Sequence, residues 1–478
     1  MKKLIIALIA LITAALILFG CASSNGNSGY HYGGIDENAD EYNEIDEKGF
    51  VSASEEADSY FSMDVNTAAY SQIRRLINEG KTVPKDLVRI EEMLNYFKFD
   101  YPGPESGEAM SLTASVTPCP WTPENRLLNI GVRTESIELS DIKNNLVFLI
   151  DVSGSMNSPD RLGLVKQAFL LLTAQLNADD RVSVVTYASG VKKVLDGASG
   201  ADKLAITSLI EELTAGGSTA GAGGIQLAYK TAAENFITGG NNRVILATDG
   251  DFNVGISSTA ALKDFISEKR DAGIYLSVLG FGMGNLKDNK METLATAGNG
   301  NYAYIDSLSE ARRVFVEEIG GTLKTVAKDC KAGVTFDPAA VKEYRLIGYD
   351  NKRLSAEQWN DSAADAGELG AGRCFTAVYE LKLNDGYADG NKIADISVKY
   401  KDPLSNADKV KSAVVSERRG ADENELFISA VTEFGLILRG SAYKGGASIA
   451  AAKARITGLA CLSDPYKAEF LELLGKIY

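Results

Sequence analysis

Leu146-Val147-Phe148-Leu149-Ile150 is an unbroken apolar run that ends abruptly in Asp151-Val152-Ser153-Gly154-Ser155-Met156. An apolar run this short suits a strand buried on both faces, the kind found in parallel sheets. Similar strands are predicted at 182–187, 244–247, 274–279 and 302–305, alternating with helical patterns at 161–176, 203–213, 223–236, 259–272, 289–297 and 309–326. That alternation predicts an α/β fold over residues 144–327, a doubly wound, mostly parallel sheet covered on both faces. In such sheets ligands collect outside the carboxyl ends of the strands, which is where Asp151 falls.

Asp151, Ser153 and Ser155 place three oxygen side chains at a spacing of two on one tight loop. Two further loops carry matching groups: Gly216-Gly217-Ser218-Thr219 before a helix, and Thr248-Asp249-Gly250-Asp251 after a strand. Carboxylates and hydroxyls are hard ligands, suited to Mg²⁺, Mn²⁺ or Ca²⁺. Composition points the same way. The chain of 478 residues has one histidine, His31, in a Gly/Ser/Asn stretch near its start, which removes Ser-His-Asp triads and histidine-ligated zinc. Five widely spaced cysteines give no CxxC motif. With 64 acidic against 49 basic side chains, a net charge of −15, a nucleic-acid partner held through phosphates is not expected.

Asp-x-Ser-x-Ser, a Gly-Gly-Ser-Thr loop and a Thr-Asp-Gly loop, in that order in an α/β domain, resemble the metal-ion-dependent adhesion site of von Willebrand factor type A domains. The resemblance implies that Asp151, Ser153, Ser155, Thr219 and Asp249 ring a divalent ion. It implies direct coordination by Ser153 and Ser155, an indirect role for Asp151 through water and hydrogen bonds, and a last position open to a carboxylate of the ligand. Phe61-Ser62-Met63-Asp64, Arg89-Ile90-Glu91-Glu92-Met93, Pro118-Cys119-Pro120-Trp121 and Glu433-Phe434-Gly435-Leu436 extend the likeness. They resemble bacterial von Willebrand factor type A lipoproteins with characteristic flanking regions. Ala220, and the pair Arg373-Cys374, depart from that pattern.

Met1-Lys2-Lys3 followed by the apolar run from Leu4 to Phe19 reads as an export signal over 1–20, and Leu18-Phe19-Gly20-Cys21 resembles a lipobox with Cys21 as the lipidated residue. The expected location is the cell membrane or outer membrane, lipid-anchored and extracytoplasmic. Residues 21–58 are rich in Asp and Glu and poor in large apolar side chains, which predicts a disordered tether. Helices are expected between about 60 and 99 within an N-terminal region over 59–143, and a compact antiparallel unit with a helical tail over 328–478. Cys119, Cys330, Cys374 and Cys461 could form two disulfides in any of three pairings, or remain buried thiols.

Together these readings describe a non-enzymatic lipoprotein that binds a protein or glycan partner through Mg²⁺. Two alternatives stand beside it. A haloacid-dehalogenase-type phosphatase would use Asp151 as nucleophile, but wants a second Asp where Ser153 stands. A scaffold with an unused metal site is the other. Ser189-Gly190-Val191-Lys192 and Ser441-Ala442-Tyr443-Lys444 fit Ser-x-x-Lys, without the companion motifs of penicillin-interactive enzymes.

Overall fold

The Asn144–Asp151 strand is buried along its whole length, and its alternate side chains enter two different cores. Leu146, Phe148 and Ile150 pack with Val165, Phe169 and Leu172 of the Leu164–Gln175 helix. Phe148 stacks on Phe169 with ring centroids 4.2 Å apart. Val147 and Leu149 point the other way, against Ile225, Ala228 and Tyr229 of the Gly224–Glu234 helix. Burial on both faces is why the run carries no polar alternation, and each such side chain stabilises by about 1.5–3 kcal/mol.

The central sheet runs Tyr302–Ile305, Ile274–Phe281, Asn241–Thr248, Asn144–Asp151, Arg181–Tyr187, Val191–Ser199. Every neighbouring pair is parallel except the last. The antiparallel edge at Val191–Ser199 was not expected from sequence; its side chains are half-exposed and mixed in polarity, so no clean period marks it.

The structure is a computed structural model that describes residues 42–477, apart from 64, 137–142, 219–222, 251–258, 283–286, 319–320, 322–323, 363, 365, 389 and 417–418. The expected signal peptide, Cys21 and His31 lie outside the described residues. Among the described residues no helix is long and apolar enough to cross a membrane.

Two antiparallel sheets flank the α/β part. One runs Val51–Ser52, Val341–Ile347, Cys374–Leu383, Arg126–Thr134, Met110–Pro118. The other runs Arg353–Leu354, Asp58–Ser62, Thr325–Phe336, Ala394–Lys401, Asp408–Val415, with Gly367–Gly370 also paired to Thr325–Phe336. Phe61, Leu128, Ile130, Val334, Tyr379 and Ile396 share the core between them. Helices Ala68–Asn78, Ile90–Tyr96, Glu423–Arg439 and Pro465–Leu474 form a further core with Leu127, Ile347 and Val378 of the first sheet. Both sheets therefore mix strands from before and after the α/β part, so the strands expected as a compact antiparallel unit within 328–478 belong to a sandwich shared with the N-terminal region.

Two other expectations are revised, and the choice left open for the cysteines is decided. The tether does not extend to residue 58: the Ile45 amide donates to Asp86, Glu47 pairs with the buried Arg345 at 3.4 Å, and Val51–Ser52 joins a sheet. Acids that would repel one another in isolation find partners on the folded body. The helix expected over 309–326 stops at Glu317, after Leu308–Arg312 and a wider turn at Arg313–Glu317, because Thr325 onward is paired as a strand. No disulfide joins the four cysteines of the described residues: Cys119, Cys330 and Cys374 are buried thiols and Cys461 is half-buried. The sulfur of Cys374 faces the Phe99 carbonyl oxygen at 3.4 Å. Thr67 sits at the N-cap of Ala68–Asn78 without a side-chain cap: its hydroxyl accepts from Arg313 at 3.0 Å, and the Ala69 amide is satisfied by Glu92 at 2.9 Å.

Candidate metal centre

Asp151 ends its strand, and Asp249 directly follows the neighbouring parallel strand Asn241–Thr248, with Ile150 opposite Ala247. The two carboxylates thus leave the sheet side by side at its carboxyl edge. The Ser153 amide donates to Asp151 Oδ1 at 2.8 Å, and the Thr248 hydroxyl reaches Asp151 Oδ2 at 3.5 Å. Ser153 Oγ and Ser155 Oγ lie 3.0 Å apart. Asp151, Ser153 and Asp249 are buried, while Ser155 is exposed, which gives the group a closed floor and an open rim.

Thr219 lies outside the described residues, but the turn leading to it is stitched to the first loop. The Gly154 amide donates to the Gly217 carbonyl at 2.9 Å and the Gly216 amide to the Val152 carbonyl at 2.8 Å. Ser189, half of one Ser-x-x-Lys match, accepts from the Ser218 amide at 2.9 Å and so fastens this turn. Ser441, half of the other, donates to Glu47 at 2.7 Å and accepts from the Tyr443 amide. Trp121 is buried, its indole directed at Glu380 at 3.3 Å, as a packing anchor.

Arg161 carries no motif and was missed in the sequence. Its Nη1 donates to Asp249 Oδ2 at 3.0 Å and to the Ser155 carbonyl at 2.6 Å. Gly282, at φ +68°, makes room for it: a Cβ there would stand 2.4 Å from Arg161 Nε. The Gly282 carbonyl accepts from Tyr304 at 3.1 Å, Tyr304 accepts from Arg75 at 2.7 Å, and Arg75 also pairs with Asp160 at 2.8 Å. A helix outside the α/β part therefore braces the segment that carries Arg161.

Burial pushes the Asp151 carboxyl above its ordinary range; hydrogen bonds from Ser153 oppose the shift and the Asp249 charge adds to it. Burial, then the Asp151 charge, holds the adjacent Tyr187 phenol well above its usual value. Asp249 Oδ1 is buried and has no hydrogen-bond partner. Such an orphan costs about 1–3 kcal/mol, more when charged, and a hard dication beside it would satisfy it. Among the described residues no three His, Cys, Asp or Glu side chains gather closely enough to hold a metal, so a cation here would rely on serine hydroxyls as well as on the two carboxylates. The all-oxygen donor set fits Mg²⁺ and gives no site for zinc.

Three family models match the chain. They are "von Willebrand factor type A domain" over residues 145–318, "von Willebrand factor" over 36–129, and "Uncharacterized protein YfbK, C-terminal" over 321–478. The "Uncharacterized protein YfbK" of Escherichia coli (strain K12) is 36% identical over 464 residues, 91% of this chain and 80% of that protein. A Synechocystis sp. relative, "Uncharacterized protein sll0103", is 32% identical over 273 residues, 55% of this chain and 62% of that protein. Among solved structures, "von Willebrand factor type A from Catenulispora acidiphila" aligns with a TM-score of 0.45 at 14% identity, over 79% of this chain and 91% of that one.

Proposed function

Because the chain belongs to the family of YfbK and so to the bacterial proteins with a von Willebrand factor type A domain, we propose that it is a lipid-anchored, extracytoplasmic binding protein. It takes a protein or glycan partner through a divalent ion, Mg²⁺ in the first instance. Type A domains commonly mediate protein binding, often through metal-dependent sites, and are generally not enzymes. In this reading Asp151, Ser153, Ser155, Thr219 and Asp249 hold the ion, which supplies a Lewis-acidic position for a carboxylate of the partner. Cys21 carries the lipid, and part of the acidic stretch that follows it serves as the tether.

One observation carries the proposal: Asp151, Ser153, Ser155 and Asp249 converge at one sheet edge, with a buried oxygen of Asp249 left without a partner. The backbone between Asp151 and Ser155 fixes the serine oxygens, Arg161 fixes Asp249, and the exposed Ser155 side leaves an approach from solvent. The test is retention of extracellular proteins and glycans on the immobilised full-length chain in Mg²⁺, in EDTA, and with Asp151→Ala. Retention that needs both Mg²⁺ and Asp151 is expected. Equal retention in all three overturns the proposal.

A further inference from the structure

A cavity of about 700 Å³ shares no residue with the oxygen ring. It opens between the segment at 98–100, the adjoining ends of the Arg126–Thr134 and Cys374–Leu383 strands, the start of the Glu423–Arg439 helix, and the Ala460–Ser463 turn with the Pro465–Leu474 helix after it. Acids and cations both line it, yet they are not paired with one another. Three of the acids are occupied by backbone amides at helix starts. Asp422 accepts from the Glu425 amide at 3.1 Å, Glu423 from the Ala460 and Cys461 amides at 3.1 and 2.9 Å, and Asp464 from the Tyr466 and Lys467 amides at 2.8 and 3.4 Å. The exposed Asp100 is the one acid left beside Lys98, Arg133 and Lys467. Among the described residues the Arg133 guanidinium donates to the Tyr101 carbonyl alone, at 2.8 Å, and Lys98 to the Glu317 carbonyl alone, at 3.2 Å. Lys467 is 5% exposed, and its ammonium stands 5.2 and 5.5 Å from the ring centroids of Phe99 and Phe427. It has no hydrogen-bond or ion-pair partner among the described residues, and its nitrogen is not sealed behind protein atoms but keeps surface on the cavity wall.

We propose that this cavity binds a small organic dianion with a carboxylate at each end, one end held by Lys467 and the other by Arg133 and Lys98. A buried ammonium without a counter-charge costs free energy, and the two aromatic faces offset part of that cost without supplying an acceptor. Arg133 uses one nitrogen on Tyr101, which leaves donors of its planar fork for a carboxylate. The cations stand at two places on the wall, each beside a thiol. Burial raises both thiols, and the Lys467 charge opposes that rise at Cys461 while the Arg133 and Lys98 charges oppose it at Cys374. A single small inorganic anion would meet one of these places and not the other. The volume falls in the ~300–1,000 Å³ range of small-molecule sites.

The experiment is calorimetric titration of the full-length chain, stripped of metal with EDTA and dialysed free of the chelator, so that no ion at the sheet edge can take up a carboxylate. Succinate, glutarate and adipate are titrated in turn, beside monomethyl glutarate and inorganic phosphate at matched ionic strength. Saturable binding of at least one dicarboxylate is expected, with the monoester and phosphate at least tenfold weaker. Lys467→Met keeps an apolar stem on Phe99 and Phe427 and should weaken the dicarboxylate at least tenfold, and Arg133→Gln severalfold. Cys461 lies on the same wall, so the bound dicarboxylate should also slow its labelling by maleimide severalfold, a reading that needs no variant to fold. Absence of saturable binding, a monoester or phosphate that binds as tightly, full binding by both variants, or unchanged labelling of Cys461 at saturation overturns the proposal.

Discussion

Arg161 Nη1 donates to Asp249 Oδ2 at 3.0 Å while Asp249 Oδ1 stays buried without a partner. A guanidinium on one oxygen fixes the rotation of the carboxylate and directs the other at whatever occupies the sheet edge. Partners behind a metal ligand set its orientation and affinity in this way. The cradle at Gly282 and the brace through Tyr304 and Arg75 hold the guanidinium in turn.

Arg161→Gln is expected to weaken Mg²⁺ binding by roughly 10–100-fold, the usual effect of losing such an orienting partner. Gly282→Ala should act in the same direction by displacing Arg161. Isothermal titration with Mg²⁺ reads both. Tighter Mg²⁺ binding by Arg161→Gln would show the guanidinium to be a competitor of the ion instead.

Mg²⁺ at one hundred times its dissociation constant should raise unfolding free energy by about 2.7 kcal/mol through mass action alone. Thermal unfolding of the full-length chain in Mg²⁺ and in EDTA checks this. Asp151→Ala should abolish the difference. A shift of equal size in that variant would place the binding elsewhere.

Arg74 is buried between Asp306, Glu310 and Tyr96, donating at 2.9, 3.0 and 2.7 Å. Replacing it with Met leaves the Asp306 carboxylate without its cation and Glu310 with Arg313 alone, and breaking such a buried pair costs about 3–5 kcal/mol. Urea unfolding of Arg74→Met should show a loss of that order. A loss within ~0.5 kcal/mol, typical of an exposed position, would contradict the burial.

Burial works to raise Glu310 and Glu318, but the guanidinium groups of Arg313 and Arg74 around Glu310, and of Arg313 and Arg373 around Glu318, hold both below the ordinary range. A lowered folded-state value means stability that is present above the unfolded value, about pH 4.3, and is lost as pH falls through the folded value. The part of the stability that these two glutamates supply should be complete above about pH 4.3 and be lost below it, read as the fall in unfolding midpoint between about pH 4.3 and pH 3. Arg313→Met should flatten that decline.

Burial pushes the Cys119 thiol up to about 12, with the Glu380 charge adding to it, and also raises Cys374. Cys461 is the least buried of the four. Maleimide labelling of the native chain followed by mass spectrometry should therefore modify Cys461 ahead of Cys119, Cys330 and Cys374. Mobility on a gel should not change on reduction.

The α/β class and the positions of Asp151, Ser153, Ser155 and Asp249 could be read from the sequence because both are local. A doubly buried strand writes itself as an apolar run, and a loop at its carboxyl end keeps its oxygen side chains at fixed backbone spacing. The sandwich could not be read. Asp58–Ser62 and Thr325–Phe336 are neighbours only because the whole α/β part intervenes in sequence and not in space, and pairing at that separation leaves no period to detect. Charge partners are hidden for the same reason. The acids at 42–58 look like a self-repelling tether until Arg345 and a sheet edge are placed against them, and Arg161 is one cation among many until Gly282 seats it on Asp249. Periodicity records what a residue does to its own element, whereas an ion pair or a sheet neighbour is chosen by the packing of elements distant in the chain.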